Sequence, residues 1–71
     1  MTESANTILG RNVRRLRKEQ DLTQEDLAHL AGLYAPAVGR LERAAVDSRL
    51  STVQKLADAL EVTISELLQA Q

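Results

Sequence analysis

The chain has 71 residues, nine Lys and Arg against ten Asp and Glu for a formal net charge of −1, and no cysteine. That length reads as one small domain over 1–71, with a modest core that burial against a second copy would strengthen. Disulfides and thiolate metal sites are excluded, no apolar run approaches a membrane span, and the first residues lack the positive-then-apolar pattern of a signal peptide, so the expected location is cytoplasmic.

The charge is unevenly spread. Five basic residues and no acid lie between Arg11 and Lys18, and Arg40, Arg43 and Arg49 follow, whereas Asp58, Glu61 and Glu66 sit late in the chain. One end of such a molecule can face phosphate while the other avoids it.

Residues 1–6 read as a flexible arm, with Ser4, Asn6 or Thr7 as alternative starts for the first helix. In that helix Leu9, Val13 and Leu16 form an apolar stripe, and Arg17 lies at its edge. Arg11, Arg14, Arg15 and Lys18 fall on the opposite, exposed side.

The second helix opens at Thr23, whose hydroxyl caps it, with Glu25 and Asp26 in the first turn where the helix dipole favours negative charge. Leu27, Ala28, Leu30 and Ala31 supply its buried side, and Gly32 ends it in a left-handed conformation. Small Ala28 lets a crossing helix approach. His29, the one histidine, reads as a surface residue without a role.

The third helix begins near Tyr34 or Ala35, with Pro36 tolerated in the first turn. Val38 and Leu41 share its apolar face, and Pro36, Arg40 and Arg43 share the opposite one. Glu42, one turn beyond Val38, points inward and needs a partner, since an unpaired buried charge is costly. Arg17 is the one basic side chain that the pattern pushes towards the same interior.

Residues 44–50 lack a helical period and read as a loop. Ser51 with Gln54 forms a capping box for a fourth helix, whose Val53, Leu56, Ala57 and Leu60 face inward, and Thr63 with Glu66 repeats the device for a short fifth helix. That last helix carries Ile64, Leu67 and Leu68, more apolar surface than it can cover, so these residues are expected to face a second subunit. The fold class is all-α: five helices, no strand and no internal repeat.

Two short helices set across a glycine turn, the second with arginines outside, have the layout of a helix-turn-helix that reads a DNA major groove. The run Leu22-Thr-Gln-Glu-Asp-Leu-Ala, then Ala31-Gly-Leu, Val38-Gly-Arg-Leu-Glu-Arg and Leu50-Ser-Thr-Val-Gln-Lys-Leu-Ala-Asp-Ala-Leu, resembles the Cro/CI-type (XRE) helix-turn-helix family. The resemblance runs from about Ile8 to Leu68. Within the family the chain is similar in size and layout to the controller proteins of restriction-modification systems, with small phage repressors and antitoxins as alternatives.

The resemblance implies a compact lambda-repressor-like domain that binds double-stranded DNA as a homodimer and regulates transcription. It implies that Gln24 contacts a phosphate, that Ala35, Pro36, Ala37 and Arg40 face base edges, that Arg43 lies against the backbone, and that Arg17 and Glu42 are an interior ion pair. For Arg49 the alternatives are a phosphate or minor-groove contact and a solvated loop arginine. For Tyr34 they are packing at the helix junction and a hydroxyl on a phosphate.

The chain departs from the family at Tyr34-Ala35-Pro36-Ala37, where members usually carry polar base-reading residues. Readout would then rest on Arg40, on apolar contact with thymine methyls and on DNA shape. Asp47 in the following loop would be repelled by a nearby phosphate. An enzyme is not expected: there is no glycine-rich phosphate loop and no catalytic pairing of side chains, and neither a metal, a cofactor nor a small-molecule ligand is implied.

Overall fold

The computed structural model describes residues 3–70, and among them five helices account for all the regular structure: α1 (Ala5–Glu19), α2 (Gln24–Ala31), α3 (Ala35–Glu42), α4 (Leu50–Leu60) and α5 (Ile64–Leu67). α2 and α3 pack on each other across Gly32-Leu33-Tyr34. α1 lies against α3, α4 and α5, and α4 also supports α2.

Each start has a local cause or lacks one visibly. Ser4 caps α1, its hydroxyl accepting from the Thr7 amide, so Ala5 and Asn6 are helical and the arm expected over 1–6 is corrected; Met1 and Thr2 lie outside the described residues. Thr23 caps α2 and Asp26 returns the bond from its carboxylate to the Thr23 amide, a reciprocal box that satisfies two otherwise orphaned donors. Thr63 likewise accepts from the Glu66 amide. The capping box expected at Ser51 and Gln54 is not there. α4 starts two residues earlier, behind Arg49, with no side-chain cap, and Gln54 donates to Asp58 along the helix instead.

The helix ends are more uniform than the starts. α1 to α4 each finish in a left-handed residue, at Asp21, Gly32, Ala44 and Glu61 respectively. In each case the amide of the next residue bonds five residues back: Leu22 to Arg17, Leu33 to Ala28, Ala45 to Arg40 and Val62 to Ala57, at 2.8 to 3.0 Å. This is the Schellman arrangement, and it folds Leu22, Leu33 and Val62 down onto the core as half-buried lids.

The core is wholly aliphatic: Val13, Leu27, Val38, Leu56, Leu60 and Leu67 are fully buried, joined by Leu9, Ala28, Ala31, Leu41, Val53 and Ala57. Leu30, expected in it, is 58% exposed. The buried stripe of α2 is Leu27, Ala28 and Ala31, and at 100° per residue Leu30 lies roughly 100° from its centre. Leu16 is half-buried at the edge of the α1 stripe.

Two residues of α1 that the apolar pattern passes over position the whole molecule. Gly10 is buried against the end of α3, where a Cβ would stand 2.5 Å from the Leu41 carbonyl oxygen and 2.8 Å from that of Glu42. Asn12 is fully buried and donates from Nδ2 to the carbonyls of Leu67 (2.8 Å) and Gln69 (2.9 Å), fastening the shortest helix to the longest.

Candidate nucleic-acid interface

Arg17 and Glu42 meet at the junction of α1, α2 and α3. Arg17 Nε donates to Glu42 Oε2 at 2.7 Å and Nη2 to Oε1 at 3.1 Å, while Nη1 donates to the Leu22 carbonyl at 2.7 Å. Both side chains are largely buried, and the hydrogen bonds to Glu42 outweigh desolvation to hold the guanidinium pKa above its ordinary value. Gln24, the first residue of α2, donates from Nε2 to Glu42 Oε1 at 3.1 Å, so the interior pair also orients the side chain at the mouth of the site.

Above this pair runs an open groove of about 560 Å³, walled by Arg17, Thr23, Gln24 and Glu25 on one side and by Ala35 and Pro36 on the other. The second wall is the start of α3, which Tyr34 opens without a side-chain cap and with Pro36 in the first turn. Tyr34 is 74% exposed, which removes the packing alternative for it.

The four residues expected to face base edges separate into two kinds. Pro36 and Arg40, one turn apart, are exposed on the outer face of α3. Ala35 is half-buried and packs against the core, and Ala37 is half-buried over a cavity of about 290 Å³ beside the loop, lined by Leu41, Val46, Asp47, Ser48, Arg49 and Thr52. The reason is phase: with the outer face centred between Pro36 and Arg40, Ala35 and Ala37 turn away from it by roughly 120° and 80°.

Arg43 at the end of α3 and Arg49 ahead of α4 are exposed, and among the described residues neither they nor Arg40 makes an ion pair. Arg49 shares the loop cavity with Ala37 and so lies on the α3 side of the molecule. Asp47 accepts a hydrogen bond from Asn6, which ties its carboxylate to α1.

On α1, Arg11 pairs with Glu3 through both terminal guanidinium nitrogens, and Arg14 and Lys18 are exposed. Arg15 is only half-exposed and leans along the helix to Glu19 at 3.3 Å, so the expectation of full exposure is corrected for it. His29 is exposed.

At the far end, the expected subunit-facing residues also separate. Leu67 is fully buried in the core and is withdrawn from that role; Ile64 is half-buried against the core, and Leu68 is 41% exposed. Leu68 lines an apolar groove of about 200 Å³ with Ala5, Asn6, Leu9, Ser48, Leu50 and Val53, and Leu50 is 70% exposed there. Leu50 was absent from the sequence-based set, although its spacing to Val53, Ala57 and Leu60 puts it on the same stripe, one turn beyond the end of the core. Gly39, also unremarked in the sequence, is buried between the Gln24 and Arg43 side chains.

Comparison with known proteins agrees with this layout. The family model described as Helix-turn-helix matches residues 13–67. Control protein C.SmaI of Serratia marcescens is 41% identical over 64 residues, covering 90% of this chain and 76% of that protein. The crystal structure of the restriction-modification controller protein C.AhdI from Aeromonas hydrophila superposes with a TM-score of 0.84 at 39% identity, covering 87% of this chain and 94% of its own. The P22 c2 repressor, solved in complex with a synthetic operator, shares the fold at a TM-score of 0.81 and 24% identity, over 89% of this chain and 96% of that one. The chain belongs to the helix-turn-helix family of the Cro/CI (XRE) type and is a DNA-binding transcriptional regulator.

Proposed function

We propose that this regulator is a controller protein of the restriction-modification kind, which binds a roughly palindromic operator as a homodimer. The observation that carries the reading is the outer face of α3: Pro36 and Arg40 stand free of the core beside Gln24 and Arg43, on a chain that two controller proteins resemble over most of its length. α3 enters the major groove and Arg40 bonds a base edge, with guanine the best geometric match for a guanidinium fork. Pro36 meets the groove floor through apolar contact. Gln24, Tyr34, Arg43 and Arg49 lie against phosphates and set register without reading sequence. The second copy covers Leu68 and Leu50, with Ile64 at the margin.

Selection from a random duplex library tests this. The wild type enriches a palindrome whose half-sites are about 10 bp apart or a small multiple of a turn. Arg40→Ala loses about 1–3 kcal/mol and relaxes one base position per half-site, while Gln24→Ala and Arg43→Ala weaken all sequences alike. Enrichment of no palindrome overturns the operator reading.

A further inference from the structure

We propose that Gly39 joins Gln24 and Arg43 into a single clamp on one DNA phosphate, and that its missing side chain is a determinant of binding. The proposal rests on the DNA-binding reading above and gives it a positioning residue.

Gly39 sits in the middle of α3 on its buried side, and its backbone is ordinary helix; among the glycines, positive φ is found at Gly32. Nothing in the backbone conformation therefore calls for glycine here, and alanine is the better helix former. The space around it is informative. A Cβ at Gly39 would stand 3.2 Å from Nη1 of Arg43 and 3.3 Å from Oε1 of Gln24, with Nε2 of Gln24 next at 3.6 Å. All three nearest atoms are tips of flexible side chains. At Gly10, by contrast, the nearest atoms are backbone carbonyls, and glycine there is a requirement of packing.

The guanidinium of Arg43 and the side-chain amide of Gln24, from different helices, thus converge on one point, the amide oxygen nearer to it than the nitrogen. Arg43 stands one turn beyond Gly39, its amide donating to the Gly39 carbonyl at 3.2 Å, and its guanidinium folds back along α3 over the glycine. Gln24 arrives from the start of α2 and is steadied by Glu42, itself held by Arg17. That leaves one amide hydrogen of Gln24 and the fork of Arg43, which no carboxylate pairs among the described residues. A neutral amide and one guanidinium can share a site without repelling each other, and their common ligand is an anion with several acceptor oxygens in fixed geometry, which on DNA is the phosphodiester. A methyl group at position 39 would push the two tips apart.

The test is equilibrium binding of wild type, Gly39→Ala, Gln24→Ala, Arg43→Ala and the double variants to the selected operator and to an unrelated duplex, with the thermal midpoint of each. Gly39→Ala is expected to melt at or above wild type and yet bind both duplexes about tenfold more weakly, the scale of one charge-assisted hydrogen bond. Added to Arg43→Ala, it should cost less than about twofold more, because the clamp is already open. Wild-type affinity for Gly39→Ala, or losses that multiply in the double variant, overturn the proposal. If alanine lowers the midpoint, the Gln24→Ala/Arg43→Ala pair decides: a double no weaker than the poorer single supports one clamp, and multiplied losses refute it. Because the unrelated duplex reports the clamp without an operator, failure to enrich a palindrome overturns the operator reading alone, whereas absence of binding to any duplex overturns both.

Discussion

Arg17 and Glu42 show what a single residue contributes when the surroundings leave it no alternative. The carboxylate accepts from Arg17 twice and from Gln24 once, so removing the arginine strands a mostly buried negative charge. Arg17→Met is expected to destabilise the fold by about 3 kcal/mol in urea denaturation, with Arg17→Met/Glu42→Leu recovering much of the loss. A shift no larger than that of exposed Arg14→Met would contradict this. Asp26 makes a milder, titratable contribution: the Thr23 amide and hydroxyl hold its pKa below the ordinary aspartate range. A depressed folded-state value means that its stabilisation is complete above the unfolded pKa and fades as pH falls through the folded one. The difference in thermal midpoint between wild type and Asp26→Asn should accordingly be constant near neutrality and shrink below about pH 4. The inward phase of Glu42 and the cap at Thr23 are legible because each is local, a matter of 100° steps or of three residues. Gly39 is not legible in that way, since what surrounds it comes from two helices that meet only in the folded chain.

At the level of elements, stops were harder to read than starts. Gly32 announces the end of α2, but Asp21, Ala44 and Glu61 adopt the same left-handed conformation without glycine. The hydrogen-bond pattern imposes it at all three, helped at Asp21 and Glu61 by the lids Leu22 and Val62, and no local propensity records that. Ala44→Gly should therefore raise stability, by about 0.5–1 kcal/mol, detectable as a higher thermal midpoint. The contact between α1 and α3 has the opposite tolerance. Gly10→Ala must move backbone carbonyls at the end of α3, and about 1–3 kcal/mol of destabilisation is expected in urea melts. α4 supplies the one failed start, because a Ser-x-x-Gln pattern is compatible with a cap but does not oblige the chain to use it when Leu50 can already join the helix. The α1 stripe is similar: Asn12 stands three residues after Leu9 and one before Val13, in phase with the core, and that phase is the signal that would have marked it.

For the molecule as a whole, the order of the helices and the turn were legible, whereas the apolar surface left free for a second copy was only half so. Apolar count placed it on α5, but Leu67 was already needed inside, and the apolar surface exposed at that end is shared between Leu68 and the first turn of α4. Leu50→Glu with Leu68→Glu is expected to leave the helical content intact and to yield a monomer in sedimentation equilibrium at micromolar concentration, where the wild type is expected to sediment as a dimer. An unchanged dimer would place the interface elsewhere. The two bonds from Asn12 carry a further consequence for how this small protein opens. A four-residue helix has too little hydrogen bonding of its own to persist, so α5 relies on the burial of Leu67 and on the grip of α1 on the carbonyls of Leu67 and Gln69. In native-state hydrogen exchange the amides of Leu67 and Leu68 should therefore be protected to an extent set by Asn12, and Asn12→Ala should collapse that protection while the amides of α2 and α3 keep most of theirs. The far end of the molecule would then breathe as a separate unit, at a rate that one buried amide helps to govern, without disturbing the half that holds α2 and α3.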